Sequence, residues 1–119
     1  MADQNKTSIT EKDLREQIRS LCKILGWKFY FTWTSIHSPR GMPDLILCKT
    51  LLDGNTVILF PELKRDGGKL TQSQIDWLEL LILVNGCFSF IWTPSQFEEI
   101  SEVLQSKGLP DIIKMWKKH

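Results

Sequence analysis

With 119 residues, 42% of them hydrophobic, the chain has the length and composition of one soluble domain with a single core. A formal net charge of +1 sets it apart from dedicated nucleic-acid binders, which are usually far more basic. The most apolar stretch, Leu78 to Val84, contains Glu79 and is far short of a membrane span, and no basic segment followed by an apolar run opens the chain.

In chain order, Met1 to Lys6 are polar, and residues 1–7 are expected to be a disordered N-terminus. Leu14, Ile18, Leu21, Cys22 and Leu25 recur on one helical face, which predicts a helix from about Thr10 to Leu25 that stops at Gly26. Trp27 to Thr34 is aromatic and β-branched, hence a strand, and a loop through Ser35, Ser38, Pro39, Arg40 and Gly41 follows. Asp44 to Thr50 and Thr56 to Lys64 read as a β-hairpin, with Asp53-Gly54 at its turn.

After the Asp66-Gly67-Gly68 turn, Thr71 is placed to cap a helix with Gln74, Leu78, Leu81 and Ile82 on one face, closed by Gly86. Cys87 to Trp92 is a further strand, and Thr93-Pro94-Ser95-Gln96 opens a last helix that sends Phe97, Ile100 and Leu104 inward. The order is α-β-β-β-α-β-α, an α/β fold in which a small mixed sheet is flanked by helices. The final ten residues receive no assignment. Trp33, Trp77 and Trp92 are expected in the core, and the chain is expected to be one domain over 1–119.

Cys22, Cys48 and Cys87 are odd in number, widely spaced and without a neighbouring Cys or His, so they read as core thiols in a reducing compartment. Charge is unevenly spread. Glu11, Asp13 and Glu16, then Glu98, Glu99 and Glu102, form acidic groups, while Lys64, Arg65 and Lys69, then Lys114, Lys117 and Lys118, form basic ones.

The chemistry concentrates in two short runs, Gly41-Met42-Pro43-Asp44 and Pro61-Glu62-Leu63-Lys64. Period-2 alternation puts Glu62 and Lys64 on one face of their strand and Leu63 on the other. Across the hairpin, Asp44 can meet Glu62. Two carboxylates held close repel unless a cation lies between them, and oxygen-only ligands select Mg²⁺ or Mn²⁺ over zinc. Lys64 adds a point charge for a phosphate or an attacking water, and the Leu63 carbonyl is a further hard ligand. Phosphodiester cleavage uses these parts.

Gly41-x-Pro43-Asp44, Glu62-x-Lys64, Gly68-Lys69-Leu70-Thr71-x-x-Gln74-x-x-Trp77-Leu78, Gly86 and Trp92-x-Pro94-Ser95 together resemble the VRR-NUC branch of the PD-(D/E)xK nuclease superfamily, over about residues 10 to 105. The resemblance implies a restriction-endonuclease-like core in which Asp44 and Glu62 bind Mg²⁺ or Mn²⁺ and Lys64 assists the nucleophile. It also implies a metal role for Glu11 in the first helix and a catalytic role for Gln74 in the second. The chain is similar to the minimal stand-alone form common in bacteriophages and bacteria, whose members act as homodimers on branched DNA such as Holliday junctions. A cytoplasmic setting, in a bacterial or phage-infected cell, is the expectation, with DNA as partner, no membrane and no small-molecule cofactor.

Several residues have structural readings beside the chemical ones. Ser8-x-x-Glu11 fits a capping box, as does Thr71-x-x-Gln74, so both Glu11 and Gln74 can serve a helix terminus instead of a metal site. Glu11 nevertheless precedes Leu14 by three residues and points toward the sheet, whereas Glu16 faces water. Arg40 and Lys69 are solvated loop charges or part of a phosphate track, and His37 is a loop residue within reach of nucleic acid, with no second His to make it a metal ligand. Ile112, Ile113, Met115 and Trp116 are the apolar material available for a subunit contact. The rival to an enzyme is a non-catalytic nucleic-acid-binding module on the same fold.

Overall fold

The computed structural model describes residues 10–32 and 39–118. Ser8, Trp33 and His37 lie outside them, as do residues 1–7. The elements are α1 (Glu11–Leu25), β1 (Lys28–Phe31), β2 (Leu45–Thr50), β3 (Thr56–Leu63), α2 (Gln72–Leu81), β4 (Cys87–Trp92), a 3-10 turn over Pro94–Gln96 that leads into α3 (Phe97–Leu104), and α4 (Leu109–Lys117).

The first helix is built around Leu14, Ile18 and Cys22, which form a fully buried stripe. Its N-terminus is capped by Thr10, whose hydroxyl accepts from the Asp13 amide at 3.0 Å while the Asp13 carboxylate accepts from the Thr10 amide at 3.3 Å. This box occupies a register two residues beyond the Ser8–Glu11 alternative, so Thr10 and Asp13 satisfy the helix end. Gly26, at φ 88°, terminates the helix in a left-handed conformation.

Four strands form one mixed sheet in the order β1-β2-β3-β4. The β1–β2 and β2–β3 pairs are antiparallel and β3–β4 is parallel, the parallel step being bridged by α2. β3 is thus an inner strand. The hairpin loop is longer than a two-residue turn: it spans residues 51–55, closed by Leu51 N–H to Asn55 at 2.8 Å and Gly54 N–H to Leu51 at 2.9 Å. Asp53 also accepts from the Leu109 amide at 2.8 Å, tying the hairpin tip to the start of α4.

The two faces of the sheet are covered unequally. Leu45 and Leu47 of β2, Val57, Leu59 and Leu63 of β3, and Phe88, Phe90 and Trp92 of β4 pack with α1, α3 and α4 into the main core. α2 covers the other face, where the Ser89 hydroxyl donates to the Leu78 carbonyl at 3.0 Å. Phe60 and Cys87 are buried outside the main cluster. All three cysteines are free thiols. Burial pushes that of Cys22 up to about 12, as suits a core residue.

Three features differ from the sequence reading. The tail is a helix, α4, in which Ile112 and Met115 are buried; the Trp116 indole meets Phe88 edge-on at 5.6 Å and donates to the Ser89 carbonyl at 3.1 Å. These residues close the core instead of lying free for a subunit contact, because α1 and α3 alone leave part of the sheet uncovered. β1 is shorter at its described start: Trp27 precedes it and donates its indole N–H to the Leu104 carbonyl at 2.9 Å. α2 ends at Leu81, so Ile82 is 37% exposed, and Trp77 is only half-buried. Among the described residues no helix is long and apolar enough to cross a membrane.

Candidate active site

The antiparallel hairpin fixes the site. Leu47 opposite Leu59 is the last pair of the β2–β3 ladder, and Asp44 and Glu62 each lie three residues beyond it, on chains that leave the ladder side by side. Asp44 is pinned there because its Oδ2 accepts from the Leu63 amide at 3.1 Å. Leu63 turns into the main core while Glu62 faces α2, as alternation along the strand requires.

Glu62 is only 2% exposed. Its Oε2 accepts from the Gln74 side-chain amide at 3.1 Å, whereas its Oε1 is buried and receives no hydrogen bond. Burial first, then the negative charge of the neighbouring Asp44, push the Glu62 carboxyl up from 4.5 to about 8. Lys64 pulls in the opposite direction and Glu11 adds slightly to the rise. Lys64 is held half-buried at the end of β3, where its amide donates to the Trp92 carbonyl at 3.0 Å.

The Gln74 side chain makes two hydrogen bonds at the same time. Its Oε1 accepts from the Thr71 amide at 2.9 Å, closing the capping box of α2, while its Nε2 is the donor to Glu62. The loop that carries Asp44 is seated against the same helix turn. Gly41 has φ 98°, and a Cβ built on it would lie 2.5 Å from the Ser73 carbonyl oxygen, so only glycine fits. That contact escapes a sequence reading because Gly41 and Ser73 belong to separate elements; the glycine before Pro43 is its one local sign.

The remaining sequence-derived residues are more dispersed. Glu11 is exposed in the first turn of α1, near enough for its charge to act on Glu62. Arg40 and Lys69 are exposed on the loops before β2 and before α2. His37 lies outside the described residues. Among the described residues no group of three or more His, Cys, Asp or Glu side chains is gathered as a metal cluster, so the side-chain acids of the centre are the Asp44–Glu62 pair.

A buried acid whose second oxygen has no donor, beside another carboxylate and a lysine, is the arrangement that a phosphodiester-cleaving metal site needs. The sequence matches the VRR-NUC domain over residues 2–91. The chain belongs to the VRR-NUC domain family. The VRR-NUC match covers α1, all of the hairpin, α2 and most of β4, and so contains every residue of the centre just described. It makes this a nuclease-type domain with DNA as substrate, of a kind that generally uses divalent metals. No curated protein and no solved structure matches the chain.

Proposed function

We propose that this VRR-NUC domain is a Mg²⁺- or Mn²⁺-dependent endonuclease that hydrolyses DNA phosphodiester bonds, selectively in branched DNA such as four-way junctions. The observation that carries the reading is Glu62: its Oε1 is buried without a donor and its carboxyl is paired with Asp44. Asp44, Glu62 and the Leu63 carbonyl form a hard, all-oxygen donor set that fits such a cation, with Glu11 the candidate for a further ligand through a water or a side-chain shift. A divalent ion there supplies Lewis-acid stabilisation of the phosphoryl oxygens and lowers the pKa of an attacking water.

This chain's own residues do the rest. Gln74 holds Glu62 in one orientation, so the carboxylate does not have to be ordered during the reaction. The Leu63 amide does the same for Asp44. The Lys64 ammonium stabilises charge that builds on the scissile phosphate, and Arg40, Lys69 and His37 contact the flanking backbone.

Selectivity for branched DNA and a homodimeric state rest on likeness to minimal members of the family, since paired cuts across a junction suit two symmetric sites. With α4 committed to the core, support for a dimer moves to the exposed apolar side chains at the end of α2, Leu80, Leu83 and Val84, and to Ile91 on the edge strand β4.

The test is a panel of junction, flapped, duplex and single-stranded DNAs incubated with the protein with Mg²⁺, with Mn²⁺ and with chelator. Metal-dependent cutting that disappears in Glu62→Gln, with an unchanged circular dichroism spectrum, is the expected result. DNA binding that ignores chelator, with no cutting under any metal, would establish the non-catalytic binding module instead. Light scattering at micromolar concentration reads the dimer separately.

A further inference from the structure

One flank of α1 has no part in the acid centre. At about 100° per residue, Lys12, Arg15, Arg19 and Lys23 fall within roughly 80° of one another on the helix surface, beginning at the residue after Glu11. Arg15 stacks over Phe31 of β1, its guanidinium carbon 4.3 Å from the ring centroid, and Arg19 lies 6.0 Å from that of Phe29. The two rings meet edge-on at 6.0 Å. Arg15 Nε is buried without a hydrogen-bond acceptor; Glu16, which borders the stripe, comes no closer to it than 3.7 Å.

We propose that Arg15 and Arg19, flanked by Lys12 and Lys23, are a backbone-binding track that holds the DNA strand on one side of the scissile phosphate. The inference rests on the nuclease reading for where the strand comes from, and on the geometry of α1 for where it goes.

Three observations carry it. From Lys12 to Lys23 the helix advances about 16 Å, which at about 3.4 Å of duplex axis per phosphate of one strand spans four to five phosphates. The Arg15 guanidinium rests over the Phe31 ring, so part of the entropy that a free arginine loses on gripping a phosphate is already lost, and Arg19 stands at the limit of such a contact with Phe29. The stripe also starts beside Glu11, which is near enough for its charge to act on Glu62. A simply solvated helix face explains exposed lysines, but it does not explain two arginines backed by rings on the neighbouring strand.

The experiment measures binding of a labelled four-way junction and a labelled duplex by fluorescence anisotropy, over a salt series, with Ca²⁺ replacing the catalytic metal. The Arg15→Gln/Arg19→Gln double variant is expected to raise Kd about tenfold or more and to flatten the log–log salt slope by about two, one per phosphate contact. Arg19→Glu alone, at an exposed position, should weaken binding without lowering the melting temperature. Lys114→Gln/Lys118→Gln on α4 serves as the comparison and should change neither quantity. Wild-type Kd and slope in the double variant, or an equal loss in the α4 variant, overturns the track even if the protein cuts DNA. A wild-type protein that binds with the predicted slope but never cuts overturns the nuclease reading and leaves the track in place.

Discussion

Gln74 donates from Nε2 to the Glu62 carboxylate at 3.1 Å while its Oε1 accepts from the Thr71 amide at 2.9 Å, so one side-chain amide caps α2 and steadies the buried acid. The two functions are separable by mutation. Gln74→Glu keeps an acceptor suited to the capping box but sets a second negative charge against Glu62. Its helix content should match wild type, while cutting falls by at least an order of magnitude. Gln74→Leu removes cap and donor together and should additionally lose about 1 kcal/mol of stability in denaturant melts. Full turnover by Gln74→Glu would show that the amide donor has no part in the reaction.

The Glu62 carboxyl also predicts how stability varies with pH. Its folded value, about 8, stands above the 4.5 of the unfolded chain, so the folded state holds the proton more tightly. This contribution is fully present below about pH 4.5 and is lost as pH rises through about 8. In chelator, the unfolding free energy should therefore fall between pH 5 and 8, and Glu62→Gln should flatten that fall. Divalent metal should act in the opposite sense, stabilising more as pH approaches 8, because binding requires the carboxylate. A metal-free profile as steep in Glu62→Gln as in wild type would mean that another group titrates.

Glu11 and Glu16 are both exposed on α1, but only Glu11 acts on the charge of Glu62. Glu11→Gln should lower turnover by orders of magnitude if Glu11 joins the metal set in the working complex, whereas Glu16→Gln should leave it nearly unchanged. Comparing single-turnover rates of the two variants decides the matter; equal rates would exclude Glu11 from the site.

Gly41→Ala tests how the Asp44 loop is seated. The added methyl would meet the Ser73 carbonyl at 2.5 Å and would force an L-residue to φ 98°, so either the loop or the start of α2 must shift. A loss of about 1–3 kcal/mol in stability and a larger proportional loss in cutting are expected, measured by denaturant melts and by initial rates. Wild-type rates would show that Asp44 does not depend on this contact.

The hairpin was readable from the alternation of its two strands, but its register was not: a two-residue Asp53-Gly54 turn would bring Asp44 to Leu63, whereas the longer loop over residues 51–55 pairs Thr50 with Thr56 and carries Asp44 toward Glu62. The same alternation separates Leu63 from Glu62, and the apolar run Val57 to Phe60 marks β3 as internal. The start of α1 was ambiguous for a local reason: Ser8–Glu11 and Thr10–Asp13 both offer capping residues at the right spacing, and the choice depends on which turn packs on the sheet. Gly41 against Ser73, the half-burial of Trp77 and the packing of Trp116 on Phe88 are tertiary outcomes. Spacing along the chain predicts which face a residue shares, but not which neighbour arrives to cover it.

The attachment of α4 bears on where this domain ends as a cooperative unit. The VRR-NUC match stops at residue 91, one short of Trp92, yet Ile100, Val103, Leu104, Ile112 and Met115 fill the core beneath the sheet, and Leu109 is hydrogen-bonded to Asp53 in the hairpin tip. A polypeptide cut at the limit of recognisable likeness would keep every acid of the centre and lose the floor on which β3 and β4 rest. Sequence kinship and core packing thus have different borders here, and a fragment that keeps the core whole has to reach through α4.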